Sequence, residues 1–244
     1  MQNQTITGGV RIADDDIYLQ ETWYKTPKEQ FKQIYSFLDL DNADESTSLC
    51  DVGCAIGEFL YFVQQNKPKM ELSGCDVSEP MLERAGGILP SAKFFKAPID
   101  EPGSLKENSY DIVTMSGVIA ILDDPEVALN NCINATKAGG RVLVFSSFNP
   151  HPIDVVIRYK RSDQENSPWE SGWNIHSKYT AEKVIKNHPK VKRFEWKDFT
   201  MPFAIPPKDD PMRCWTTQVG DKEHFQINGA AQLLDMKMLL IECE

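Results

Sequence analysis

The sequence predicts an α/β fold, a mostly parallel sheet with helices on both faces. Three observations carry this. Short apolar runs alternate with helix-like segments over residues 46–148. The first run ends in a glycine turn, Asp51-Val52-Gly53-Cys54-Ala55-Ile56-Gly57. The chain has 244 residues, which suits one large domain with an appended cap. Right-handed crossovers leave few ways to connect such elements.

Residues 1–45 read as an N-terminal helical segment over the ligand site, with helical spacing at Phe31, Ile34, Tyr35 and Leu38. Residues 48–52 form the first strand, 58–65 a helix and 70–77 the second strand. Ser78 is a capping type and Pro80 suits a first helical turn, so a helix opens there. Strands follow at 92–96 and 110–115. Residues 125–136 read as a helix stopped by Ala138-Gly139-Gly140, and 141–147 as the fifth strand. Residues 149–220 read as a substrate-side insertion or cap, with one helix over 179–187 capped by Thr180. Its tryptophans, Trp169, Trp173 and Trp196, argue for packing. Residues 221–244 supply two more strands, 224–228 and 236–243, that complete the sheet. Asn228-Gly229 is a turn signal between or near them.

Composition sets limits. Lys and Arg number 26 against 36 Asp and Glu, a net charge of −10. Such a chain repels a phosphate backbone at long range, so nucleic acid is not expected as a partner. The basic stretch 186–197 reads as a solvated loop and strand end. The six cysteines form no C-x-x-C pair and no zinc pattern with the four histidines, so no metal is expected. The sequence opens without a signal-peptide pattern, and no apolar run reaches the roughly 20 residues that span a bilayer. A cytoplasmic protein with no membrane association is the expectation.

Gly53 lets the backbone turn sharply and approach a ligand with no Cβ in the way. The helix opening near Gly57 aims unpaired amides at that ligand. Asp76 ends the second strand 25 residues after Asp51, where an acidic side chain can accept the hydroxyls of a ribose.

Around these residues, Leu49-Cys50-Asp51-Val52-Gly53-Cys54-Ala55-Ile56-Gly57-Glu58-Phe59-Leu60 resembles the first motif of class I S-adenosylmethionine (SAM)-dependent methyltransferases. Cys75-Asp76-Val77-Ser78-Glu79-Pro80-Met81 resembles their second motif. Ser109-Tyr110-Asp111-Ile112-Val113 is similar to the start of their fourth strand. Lys137-Ala138-Gly139-Gly140 is similar to their Lys-Pro-Gly-Gly turn, with Ala138 for Pro. The matches run in the family's order over less than half of the chain. The resemblance implies a Rossmann-like sheet of seven strands, mostly parallel, with an antiparallel C-terminal strand and a helical or irregular cap. It implies SAM as cofactor and S-adenosylhomocysteine as product. Asp51, Gly53, Cys54, Ala55 and Gly57 would then lie near the methionine part, Asp76 on the ribose, and Val77 and Met81 beside the adenine. Ser116 and Gly117 would line the methyl-transfer chamber. Ala55 stands where many members have a second glycine, which requires it to keep an ordinary φ/ψ. The acidic residue that often follows the third strand is displaced or lost. Backbone at Ala97, Pro98 and Ile99, or a folded-back Asp100, is expected against adenine instead. Tyr24, with Tyr18 and Trp23, is a candidate to close over the cofactor; amphipathic helix packing is the other reading.

Ligands meet the carboxyl ends of the strands in such a sheet. The acidic-or-Asn, Pro-Pro, aromatic pattern of the DNA amino-methylating members is absent after the fourth strand. A small-molecule acceptor, sugar-like in one reading, is therefore expected. Methyl transfer needs the acceptor held about 3 Å from the methyl carbon and, for a hydroxyl or protonated amine, a base. His151 is the first candidate base and His176 the second. Tyr18, Asn149, Trp173 and Asn174 are candidates to contact the substrate. The expected enzyme is a monomer or homodimer that methylates an O or N atom. A non-catalytic SAM-binding regulator or partner subunit, and a different SAM-consuming transfer on the same fold, are the alternatives.

Overall fold

The computed structural model describes Leu19, residues 24–207 and residues 209–244. Helix α1 (Glu29–Phe37) buries Phe31, Ile34 and Tyr35, the stripe its spacing predicts. Strand and helix then alternate through β1 (Ser48–Val52), α2 (Glu58–Asn66), β2 (Glu71–Asp76), α3 (Glu79–Ile88) and β3 (Lys93–Lys96). They continue through β4 (Tyr110–Ser116), α4 (Glu126–Ala135) and β5 (Thr136–Asn149). Beyond β5, β6 (Arg158–Tyr159) and β7 (Glu170–Ser171) pair antiparallel, and β8 (His176–Ser177) lies parallel to the end of β5. Helix α5 (Lys178–Asn187) leads to β9 (Val191–Asp198). Strands β10 (Trp215–Val219), β11 (Lys222–Ile227) and β12 (Leu233–Leu234) form a small antiparallel sheet before β13 (Met236–Cys243).

The main sheet runs β3-β2-β1-β4-β5-β13-β9. Strands β1 to β5 are parallel, and β13 lies antiparallel between β5 and β9. Both faces are covered, so β1 is buried along its whole length. On one face Leu49, Leu72, Ile112, Leu143, Phe145 and Met238 pack with residues of α1 and α2. On the other, Cys50, Val52, Val113, Met115, Val142 and Val144 pack with Leu129 and Ile133 of α4 and Ile185 of α5. The chain adds β2 on one side of β1 and β4 on the other. The crevice for a ligand therefore opens at the carboxyl ends of β1 and β4.

Five expectations need correction. Helix α5 is capped by Ser177, whose Oγ accepts from the Thr180 amide at 3.0 Å, and not by Thr180. Helix α4 stops at Ala135, and Gly139-Gly140 does not end it; the two glycines lie in a bulge at the start of β5. Gly139 takes φ +74°, and a Cβ on Gly140 would come within 2.6 Å of the Asp111 carbonyl oxygen. Beside this bulge, Lys137 Nζ meets Asp111 Oδ2 at 2.9 Å, and the Ser48 amide donates to the same oxygen at 2.8 Å. The family-like turn is thus a strap at the amino edge of the sheet. Residues 149–220 are not only a cap, because α5 and β9 within them belong to the main sheet layer. Only β13 of the C-terminal strands completes that sheet, and Asn228-Gly229 lies in the β11–β12 connection. There the Gly229 amide donates to the Pro211 carbonyl at 2.6 Å, where a Cβ would overlap the proline. Ser78 stands at the N-cap of α3, but its side chain makes no capping bond.

The basic stretch 186–197 forms the end of α5 and the edge strand β9. Lysines there stand over aromatic rings: Lys186 over Phe194 and Lys197 over Phe37. Lysine on an edge strand also discourages pairing with other chains. Among the described residues no helix is long and apolar enough to cross a membrane, and no three His, Cys, Asp or Glu gather as metal ligands.

Candidate active site

The turn after β1 is strapped to β2. The amides of Gly53 and Cys54 both donate to the Cys75 carbonyl, at 2.8 and 3.0 Å, and the Gly57 amide donates to the Cys54 carbonyl at 2.8 Å. Gly53 has φ +67°, and a Cβ on it would overlap Val118. Gly57 has φ +79°. Cys54 packs over Gly74, where any Cβ would sit 2.8 Å from its sulfur. Helix α2 starts at Glu58, a buried acid that pairs with Lys28 at 3.0 Å and complements the helix dipole.

Ala55 does not keep an ordinary conformation. Its φ is +47°, in the left-handed region that costs a residue with a Cβ roughly 1–2 kcal/mol. Its amide donates to Asp76 Oδ2 at 2.9 Å, which holds it there. Ala55→Gly is expected to stabilise the protein by up to about 1 kcal/mol, read as a melting temperature roughly 2–4 °C higher. A lower melting temperature would contradict the strain.

Two carboxylates flank this turn. Asp76, at the end of β2, accepts from Ala55 on Oδ2 and from the Ser78 amide on Oδ1 at 3.0 Å. Asp51 is buried, and its Oδ1 accepts from Thr114 Oγ at 2.7 Å. Burial pushes its pKa up to about 7; the Thr114 hydroxyl opposes the rise and the charge of Asp76 adds to it. Thr114 carried no signal in the sequence beyond being a hydroxyl in an apolar strand; register with Asp51 gives it its role.

The remaining cofactor candidates surround the turn. Met81, Ala97 and Ile99 are buried, and Val77 and Pro98 are half-buried. The Ala97 amide donates to the Asp76 carbonyl at 3.1 Å, and the Ile99 carbonyl accepts from Asn131 Nδ2 at 2.8 Å. Asp100 is exposed. Ser116 ends β4, and its Oγ accepts from Gln30 Nε2 at 3.5 Å. Gly117 takes φ +78° with open space around its missing Cβ, so conformation rather than room requires glycine. The Tyr24 hydroxyl donates to the Ile56 carbonyl at 2.8 Å, and its ring stands edge-on to Tyr61. Burial, with Glu58 adding to it, pushes the Tyr24 phenol up to about 12. Tyr24 and Gln30 thus carry the N-terminal segment over the turn and the end of β4. Tyr18 and Trp23 lie outside the described residues.

On the acceptor side, three polar candidates are engaged with neighbouring backbone. His176 is buried, and its Nε2 lies 3.2 and 3.0 Å from the carbonyls of Ile119 and Leu122. A nitrogen facing two carbonyls carries a hydrogen, so Nε2 is not available to take a proton. His176 instead ties β8 to the link after β4. Asn174 is fully buried, and its side chain accepts from the Ile157 amide and donates to the Leu122 carbonyl, at 2.9 and 2.8 Å. It is a latch, with no group left to contact a substrate from the surface. Asn149 is committed to a local turn, accepting from the His151 amide and donating to the Ile153 carbonyl. His151 is exposed, and no described contact joins it to the glycine turn or to Ser116. Trp173 is half-buried in the apolar cluster that holds Phe145, Phe199 and Met236. A cavity of about 380 Å³ opens nearby, lined by Phe199, Met201, His224, Phe225, Leu234 and Met236 among others.

Residues 50–142 match the family model described as a methyltransferase domain. An uncharacterized methyltransferase of Schizosaccharomyces pombe is 24% identical over 194 residues, 69% of this chain and 68% of that one. The ubiquinone biosynthesis O-methyltransferase of Bordetella avium is 25% identical over 146 residues, 55% of this chain and 59% of that one. Among solved structures, a chain from the complex between the Haloferax volcanii Trm112 methyltransferase activator and a methyltransferase is similar at a TM-score of 0.59. That match covers 94% of this chain and 92% of the other at 15% identity, a likeness of fold.

Proposed function

We propose, from the premise that this chain is a methyl-transferring enzyme of the class I Rossmann-like family, that it moves a methyl group from SAM to an O or N atom of a small molecule. The observation that carries the cofactor half is the buried carboxylate of Asp51. The charged neighbour that shapes its titration is another carboxylate, Asp76. Two acids beside a glycine turn suit a cationic ligand with a ribose. SAM supplies a methyl on a positive sulfur, which makes it such a ligand. Asp51 then faces the positive methionine end, and Asp76 accepts from the ribose hydroxyls. Ser116 and Gly117 line the methyl edge, and Tyr24 holds the turn from outside. With His176 engaged, His151 is the base this reading retains, reached by movement of its exposed turn. The net charge of −10 and the cavity beside β13 support a small acceptor over nucleic acid. A cytoplasmic monomer or homodimer belongs to the same reading.

The test is incubation with methyl-labelled SAM and defined phenols, sugars and amines, with both small-molecule products followed. Labelled acceptor with S-adenosylhomocysteine is the expected result. SAM binding without turnover would mark a regulator or partner subunit. Release of methylthioadenosine would mark a different transfer.

A further inference from the structure

Trp173 is held from two sides. Its carbonyl accepts from Gln232 Nε2 at 2.6 Å, and the amide of the next residue, Asn174, donates to the Ala120 carbonyl at 2.6 Å. Its indole packs in the apolar cluster on the face of the sheet that carries Asp51 and Ser116. The one polar atom of its side chain, Nε1, is buried and has no hydrogen-bond partner among the described residues. Ser147, 2% exposed, presents a second such atom in its Oγ. Alternation along β5 puts Ser147 on the side of Leu143 and Phe145, which belong to the same cluster as Trp173. Phe145 is in register with Ser116, so the backbone of Ser147 lies roughly 8 Å from that of Ser116.

Buried donors are ordinarily satisfied, and each exception calls for a partner. Ser147 lies just beyond the end of β4, and Trp173 stands three residues before His176, which pairs with Phe148; two exceptions so placed on one face point to one ligand. We propose that the Trp173 indole N–H and the Ser147 hydroxyl together bind an oxygen atom of the methyl acceptor. An indole N–H only donates, so the bound atom is an acceptor: a hydroxyl, carbonyl or carboxylate oxygen, and not an ammonium group. The 380 Å³ cavity shares Phe199, Leu234 and Met236 with that cluster; Trp173 and Ser147 are not in its lining, so the acceptor reaches the pair through this shared wall. The pair is a specificity determinant, and it rests on the methyltransferase reading.

Trp173→Phe keeps an aromatic ring and deletes the pyrrole part of the indole with its N–H. The probes are 4-hydroxybenzoate, which carries oxygen acceptors, and benzylamine, which does not. Each is titrated into isotope-labelled protein saturated with S-adenosylhomocysteine while the indole N–H signals of the five tryptophans are followed. The signal missing in the Trp173→Phe protein identifies Trp173. It is expected to move with 4-hydroxybenzoate and not with benzylamine. Trp173→Phe and Ser147→Ala are each expected to weaken 4-hydroxybenzoate binding at least tenfold and leave S-adenosylhomocysteine binding unchanged. The ligand-free Trp173→Phe protein is expected to melt within about 4 °C of wild type, since removal of an unbonded donor offsets the modest volume lost. An unmoved Trp173 signal, equal movement with benzylamine, or unchanged probe binding with a clearly lower melting temperature would overturn the assignment. Failure of wild type to bind S-adenosylhomocysteine would instead overturn the reading beneath it.

Discussion

Asp76→Ala is expected to weaken SAM binding roughly 100-fold or more, measured by calorimetry. Two hydrogen bonds from ribose hydroxyls to a carboxylate contribute about 1.5–3 kcal/mol each, and every 1.4 kcal/mol is a factor of ten. The carboxylate also accepts from the amides of Ala55 and Ser78, one on each oxygen. Those bonds leave lone pairs for a ribose, but they constrain substitution. Asn at this position must turn its NH₂ toward one of two backbone N–H groups. Asp76→Asn, although the same shape, is therefore expected to bind SAM nearly as poorly as the alanine variant. It also releases Ala55 from the conformation that the carboxylate holds. An affinity for Asp76→Asn within threefold of wild type would contradict the tether, and an unchanged Asp76→Ala would remove the ribose role.

The second large effect is a pH dependence centred on Asp51. Its folded pKa of about 7 lies above the ordinary carboxylate value of 3.8. Below about pH 4 both folded and unfolded chains hold the proton. Between about 4 and 7 the folded state keeps a proton that the unfolded chain has lost, so stability falls as pH rises through this window. Above 7 the buried carboxylate is ionised, at a cost on the order of 4 kcal/mol relative to acid pH. Asp51→Asn is expected to flatten this part of the profile and to melt higher than wild type at pH 8. A cationic ligand favours the ionised form. SAM affinity is therefore expected to rise about tenfold from pH 6 to pH 8, with a proton released on binding at the lower pH. Calorimetry in buffers of different ionisation enthalpy reads that proton directly. Parallel profiles for wild type and Asp51→Asn would assign the dependence to other groups.

Much of the fold was legible because the β1–β5 region is locally consistent. Strand β1 is a short, mostly apolar run followed by a glycine, and acids stand at the ends of β1 and β2. Strand β9 was not legible as part of the sheet. It is an edge strand, half covered, with charges at most outward positions, so its pattern resembles a solvated loop. Gly139-Gly140 reads the same as a helix stop or as a bulge, and only the pairing of β4 with β5 distinguishes the two. In the site, the acids and glycines were identifiable because few other residue types can do their work. The acceptor side was not. His176, Asn174 and Asn149 are polar types that serve chemistry or satisfy neighbouring backbone equally well, and their partners lie up to 57 residues away in sequence. Gln30 and Thr114 drew no attention for the converse reason: their roles come from register and helix placement.

The position of β13 has a consequence for the order in which this chain can be assembled. Strand β9 is made some forty residues before β13, yet β13 is its partner in the sheet. During synthesis the β1–β5 half can close while β9 still has no neighbour. Its inward residues Phe194 and Trp196 wait beside an open core until Met236–Cys243 emerges and slots between β5 and β9. A nascent chain arrested before residue 236 would display that apolar edge to chaperones and proteases, whereas one arrested after 243 would not.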